Sequence, residues 1–223
     1  VAEKFNSELG RQNFMLYTSA DSSLPNDERG RRNYRDAFTK EHWNGLEFIE
    51  AKGDRGGCQT LQQLMGPRPI ANNMSLGWKT TSVPTMEAVE MYYTKNGLPW
   101  EDDPETKDID PYAYNAEAGT VNLHLYKEPR FYASVGYDRG TYEIDGKEIT
   151  LYLRGGELHG STLKETDEYQ SCTGYLCQKW IPKASTYSIP SNSFSFYYYA
   201  YPYLRLPELY LSYAEADFEY NGS

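Results

Sequence analysis

The hydrophobic pattern of the chain is clearest at its end. In "YLRLPELYLSYAEADFEYNGS" the polar residues Glu208, Ser212, Glu215 and Glu219 recur at i, i+4, i+7 and i+11, one narrow stripe on a helix. Leu209, Tyr210, Leu211, Tyr213, Ala214, Ala216, Phe218 and Tyr220 cover the rest of the cylinder, and only Asp217 interrupts them. A helix apolar over so wide an arc expects neighbours on two sides, as in a helical bundle or repeat array. The pattern predicts that the stripe faces water while Leu209, Tyr213 and Phe218 pack inward or against another copy. Pro207 suits the first turn, and Asn221-Gly222 is a stop signal.

Elsewhere the periods are short and change often. "VAEKFNSEL" predicts a helix stopped by Gly10, and "NFMLYT" an extended segment. "PNDERGRRNYRDAF" reads as a charged loop whose Arg29, Arg31, Arg32 and Arg35 form a solvated face. Leu46 to Ala51 predicts a strand entering a Gly-rich turn, and "LQQLMGPRPIANNMSLGWKTTSVP" reads as loop, broken by Pro and Gly. "PTMEAVEMYYTKNGLP" predicts a helix capped by Thr85, lined by Met86, Val89 and Tyr93, and ended by Asn96-Gly97 and Pro99. An acidic loop, "WEDDPETKDIDPYAYNAEAG", follows. Strands are predicted at "NLHLY", "RFYASVGY" and "GYLCQKWI", with a hairpin at "YEIDGKEITLYL" turning on Asp145-Gly146. In the "GYLCQKWI" strand Trp180 alternates with Leu176 and Gln178, so packing is its expected role. The sum is an α+β, loop-rich domain with short antiparallel strands and a few helices. Residues 1–200 form the loop-rich region and 201–223 a terminal helix.

Composition narrows the function. A formal charge of −10 argues against a nucleic-acid backbone or an anionic membrane surface as partner. No apolar run approaches the length of a membrane span. The opening residues carry no leader and no lipid-attachment Cys, so localisation is not read from them. The 22 tyrosines stand out beside four tryptophans and eight phenylalanines. Tyrosine pairs an apolar face with a hydroxyl and suits half-wet surfaces that grip amphipathic ligands, although it also fills the cores of β-rich domains. The three cysteines do not make a zinc site: Cys172 and Cys177 form one C-x4-C pair, Cys58 is distant, and no His follows at ligand spacing. Strand residues five apart point to opposite faces, which favours free thiols over a Cys172–Cys177 bridge.

Catalytic constellations are missing. There is no G-x-S-x-G and no H-E-x-x-H, and His42, His124 and His159 lie far apart. The acidic loop offers Glu101, Asp102, Asp103, Asp108 and Asp110, from which a glycosidase-like carboxylate pair could be drawn. Nothing in its sequence marks one carboxyl for burial. The same loop could take calcium, yet it lacks the Gly and final Glu of an EF-hand loop. No other cofactor is expected.

Four segments carry a resemblance. "MEAVEMYYTKNGLP", "KEPRFYASVGYDRG", "TGYLCQKWI" and "YLRLPELYLSYAEADFEYNG" resemble, in that order, signatures of the SusD/RagB family. "EPRFYASVGY" and "LRLPELYLSYAEA" are the most specific, and the resemblance covers roughly residues 45–223. It implies a non-catalytic, glycan-binding lipoprotein of the outer-membrane surface of Bacteroidetes-type bacteria. Such a protein would deliver nutrients, glycans or sometimes peptides, to a SusC-like TonB-dependent transporter. The implied fold is larger than this chain: tetratricopeptide-like helix pairs cradle a loop-rich portion. The chain then reads as a fragment whose helical half, like the lipid anchor, is mostly absent, which would leave the last helix without its neighbours. A glycan binder needs aromatic platforms for sugar faces and carboxylates, amides or Arg for hydroxyls. The residues that fit are Trp78, Trp100, Tyr112, Tyr114 and Asn115 in the loops around the Thr85 helix, and then Trp43. The competing readings are a secreted glycoside hydrolase or esterase using the acidic loop, which would turn a polysaccharide over, and an adhesion module, which would bind protein.

Overall fold

The computed structural model describes residues 14–18, 21–39, 47–67, 82–155, 157, 171–188, 190–191 and 193–222. Trp43, Trp78, Leu46 and the helix expected within residues 1–9 lie outside them. The described part is a mixture of helices and two-stranded antiparallel ribbons, with no larger sheet.

The first element, α1 (Asn26–Thr39), corrects the loop expected there. Asp27 and Glu28 sit in its first turn, and Glu28 pairs with both Arg31 (2.8 Å) and Arg32 (2.6 Å), one turn ahead. The arginines are not a solvated face. Arg35 is buried and donates from Nη2 to the carbonyls of Glu143 (2.6 Å) and Ile181 (3.1 Å), which ties α1 to two distant segments. This adds to the burial of Ala37 and Phe38 on the same helix.

Strand β1 (Phe48–Lys52) pairs antiparallel with β10 (Tyr201–Arg205), with bulges around Glu50. Glu47 just before it is buried and receives Arg205 Nη2 at 2.7 Å, and Arg205 also lies 3.8 Å over the Phe38 ring. Next comes α2 (Arg55–Met65), a second helix in place of expected loop. Its Gln62 is fully buried: Nε2 donates to the Tyr197 carbonyl (3.0 Å), and Oε1 accepts from the Ser185 hydroxyl (3.1 Å). The helix ends at Gly66, which takes the extended conformation favoured before Pro67, and Ile181 is pressed against its backbone. A Cβ on Gly66 would stand 2.5 Å from Ile181 Cδ1, and Ile181 is buried. Gly66→Ala is therefore expected to cost about 1–3 kcal/mol as overpacking. A denaturant midpoint equal to that of the wild type would refute this.

The capped helix appears as expected but short. In α3 (Met86–Glu90) the Thr85 hydroxyl accepts from Ala88 N at 3.2 Å, and Val89 is buried. Beyond the acidic loop, β2 (Tyr114–Asn115) pairs with β3 (Thr120–Val121). "NLHLY" is a 3-10 turn (Asn122–His124), not a strand. "RFYASVGY" is mostly α4 (Pro129–Ser134), with Pro129 in its first turn, running into the two-residue β4 (Val135–Gly136). The alternation of Phe131, Ala133 and Val135 mimicked a strand. In the fold Phe131, Ala133 and Val135 are all buried, Phe131 and Val135 in one aromatic-rich core with Val89, Leu123 and Tyr175.

The hairpin β5 (Thr141–Ile144) and β6 (Lys147–Thr150) turns on Asp145 and Gly146, both at positive φ (55° and 65°). Tyr142, Ile144, Leu151 and Ile181 make a second core beside it. β7 (Leu176–Cys177) pairs with β4, and β8 (Thr186–Ser188) with β9 (Ser193–Ser195). Trp180 packs as expected, edge-on to Phe38 and stacked on Tyr199 and Tyr201. None of Cys58, Cys172 and Cys177 is joined to another, in line with the free-thiol reading.

The terminal helix, α5 (Leu206–Asn221), starts with Pro in its first turn and stops at Gly222, whose φ of 66° and N–H to the Phe218 carbonyl (2.8 Å) close it. Its polar stripe does face water, but so does nearly everything else. Only Leu206 is buried; Leu209 is half-buried, and Tyr213 and Phe218 are 58% and 60% exposed. The expected inward packing of Tyr213 and Phe218 is not found, because α5 touches the described residues mainly through β10 at its base.

Candidate functional site

The loop aromatics divide into one held inside and two left outside. Trp100, one of the loop aromatics that fit a sugar platform by sequence, is half-buried against the Val89–Phe131 core. Its indole N–H donates to the Ile109 carbonyl (3.1 Å), its own carbonyl accepts from the Thr106 hydroxyl (2.7 Å), and its ring meets Tyr126 edge-on. The acidic loop thus folds around this indole. Asp103 is buried in the same loop, accepting from Asn96 Nδ2 (3.2 and 3.1 Å) and from Glu105 N (2.9 Å). Glu105 pairs with Lys95 at 2.6 Å, and that ammonium, with Asn96, keeps its carboxyl below the usual range. Among the described residues no group of three or more His, Cys, Asp or Glu side chains could hold a metal ion.

Tyr112 and Tyr114 are exposed, at 52% and 58%. The Tyr112 hydroxyl donates to Glu90, which fixes the ring across the end of α3 and raises the phenol's pKa. Tyr114 is gripped from one side by Arg154, whose guanidinium carbon lies 5.3 Å from the ring centroid. Arg154 is itself fixed: Nη2 donates to the Gly119 carbonyl and Nε to Asp138 Oδ2 (2.8 Å). Asn115 is spent on its own turn, Oδ1 accepting from Ala118 N (3.0 Å).

Asp138 joins this pair to a second one. Arg139 lies 4.6 Å from the Tyr152 ring centroid, is 3.5 Å from Asp138, and makes a two-pronged pair with Glu157 (3.0 and 2.6 Å). Arg139 adopts a positive φ of 67°, a costly conformation that persists where surrounding contacts over-determine it. Tyr152 is 42% exposed. The outcome is a linked row, Tyr114–Arg154–Asp138–Arg139–Tyr152, with each guanidinium carrying a partly open phenol. Of the residues singled out in the sequence, Tyr114 belongs to this row and Tyr112 does not; Arg139, Tyr152 and Arg154 were not among them. Their one sequence signal is their place just before and just after the Asp145-Gly146 hairpin; the contact with Tyr114 spans far too many residues to be read from spacing.

Such a row offers flat apolar faces with immobilised polar neighbours. It presents no nucleophile beside a base. Behind it, His124 is buried, bonded to the Thr120 hydroxyl (2.7 Å) and the Tyr175 hydroxyl (2.9 Å), and serves the core.

Comparison with known proteins agrees with this architecture. The SusD family model matches residues 46–223, and the chain belongs to the SusD family. Among solved structures it is similar to BT4246 in its selenomethionine form (TM-score 0.72, 22% identity), covering 99% of this chain and 39% of that one. A SusD-like protein from Bacteroides fragilis, BF3747, gives a TM-score of 0.64 at 20% identity over 98% of this chain and 39% of that one. The chain thus spans less than half the length of these structures, and the likeness is one of fold. No match was found among curated proteins. Among the described residues no helix is long and apolar enough to cross a membrane.

Proposed function

We propose that the chain is part of a cell-surface glycan-binding protein, held at the outer membrane by a lipid anchor, that passes oligosaccharides to a SusC-like TonB-dependent transporter. Membership of the SusD family supports the class. The single observation that carries the reading to residues is Tyr114, backed by an immobilised Arg154 and open to solvent on a 58% exposed side chain. A rigid phenol gives a sugar face apolar contact at little entropic cost on binding. Tyr112 and Asn115 flank it, and Trp78 and Trp43 are the further loop aromatics proposed to contribute. Trp100 supports the loop from within.

The protein is proposed as a binder and not an enzyme. The acidic loop's Asp103 is committed to Asn96 and Glu105 N, and Glu105 to Lys95, so neither is a free acid for glycoside cleavage. In the full-length protein, Tyr114→Ala is expected to weaken binding of a neutral oligosaccharide by about 1–2 kcal/mol, with little change in melting temperature. Added salt should matter little, since the ligand is uncharged. Calorimetry on the variant checks this; unchanged affinity for a glycan the wild type binds would remove Tyr114 from the site.

A further inference from the structure

A second aromatic cleft lies away from the Tyr114 row, where the chain enters α5. Tyr199, Tyr201 and Tyr203 alternate along an extended segment, which places their rings on one face. Lys52 is opposite Tyr201 in the β1–β10 register and shares that face. Across from them stand Leu61 of α2 and Asp54 at its N-terminus, and together these residues enclose about 180 Å³.

The rings are held in place. Tyr199 is the buried floor, its hydroxyl given to the Trp180 carbonyl at 2.8 Å. Trp180 stacks on Tyr201 at 5.0 Å and 27°, and Tyr203 meets Tyr201 edge-on at 5.7 Å. Tyr201 and Tyr203 stay 39% and 59% exposed. The polar rim is unspent: among the described residues neither Lys52 nor Asp54 makes an ion pair or a side-chain hydrogen bond, and Asp54 does not cap α2. The volume is below the roughly 300–1,000 Å³ of pockets for drug-sized ligands, so it admits one ring and not an oligomer. One ammonium and one carboxylate cancel, which favours a neutral occupant, and that occupant must bring both donors and acceptors to meet them. A sugar ring has this combination, with an apolar face for the phenols and hydroxyls for Lys52 and Asp54.

We infer that this cleft is a subsite for a single neutral pyranose unit. Tyr201 and Tyr203 contact its apolar face, Asp54 accepts from its hydroxyls, and Lys52 donates to them. The inference rests on the glycan-binding reading and adds a contact point to it, on elements other than those carrying Tyr114. The test is calorimetry of the full-length protein with hexasaccharides of glucose, mannose, galactose and xylose, comparing wild type with Tyr203→Ala and Asp54→Asn. Each variant should bind the preferred hexasaccharide roughly tenfold more weakly, a loss of about 1.4 kcal/mol, with an unchanged melting temperature. If Tyr203→Ala melts early, Asp54→Asn alone decides. Wild-type affinity in a folded cleft variant would overturn the subsite and leave the glycan reading standing. A wild type that binds none of the hexasaccharides would overturn both.

Discussion

Replacing Trp100 by Ala should lower the stability of the protein by about 2–3 kcal/mol, somewhat less than the full cost of truncating a completely buried Trp. The indole is half-buried, packs on the Val89–Phe131 core and closes the acidic loop through the Ile109 carbonyl. Its removal leaves a void and strips that carbonyl of its donor. The folded variant should still bind glycan, because Trp100 works from inside the loop. Denaturant titration checks the first claim and calorimetry below the melting transition the second. An unmoved midpoint combined with lost binding would return Trp100 to the ligand face.

Acid should destabilise the protein through His124 well before most carboxylates titrate. Burial pushes the imidazole down to about 4, with Lys127 acting in the same sense and Asp138 against it. Both ring nitrogens are engaged, with Thr120 and Tyr175, and the ring packs against Phe131 and Tyr137. The folded pKa is below the unfolded value of about 6.5, so the unfolded state binds more protons between these limits. Stability is therefore complete above pH about 6.5 and falls as pH drops toward about 4, by about 3 kcal/mol in all at ~1.4 kcal/mol per unit. His124→Gln removes the titration, so its stability curve should be flatter over the same window. Parallel wild-type and variant curves between pH 4 and 6.5 would contradict the assignment.

The contrast between what the sequence announced and what it hid has a physical basis. Asp145-Gly146 announced its hairpin because a two-residue turn with both φ values positive accepts few other residues. Thr85 and Gly222 announced a helix start and stop for the same local reason. The missed elements have their causes elsewhere in the chain. α1 is anchored by a buried Arg35 bonded to carbonyls more than a hundred residues away, which in sequence looks like one more surface charge. α2 opens with Gly56 and Gly57, poor helix formers, and is secured by Gln62 reaching Tyr197 and Ser185. α4 is too short for its period to show against an alternating apolar pattern. At the site the loop tyrosines were legible as aromatics in a polar context. Arg154 behind Tyr114 was not, since it reaches the β2–β3 ribbon from beyond the β5–β6 hairpin.

Affinity electrophoresis of the full-length protein through gels containing neutral polysaccharides tests whether it binds glycan without cleaving it. The account predicts that at least one polysaccharide retards the protein, that retardation survives raised salt, and that the polymer is recovered unshortened. Migration unaffected by every polysaccharide would contradict the account, and so would recovery of shortened chains, which would make the protein a hydrolase.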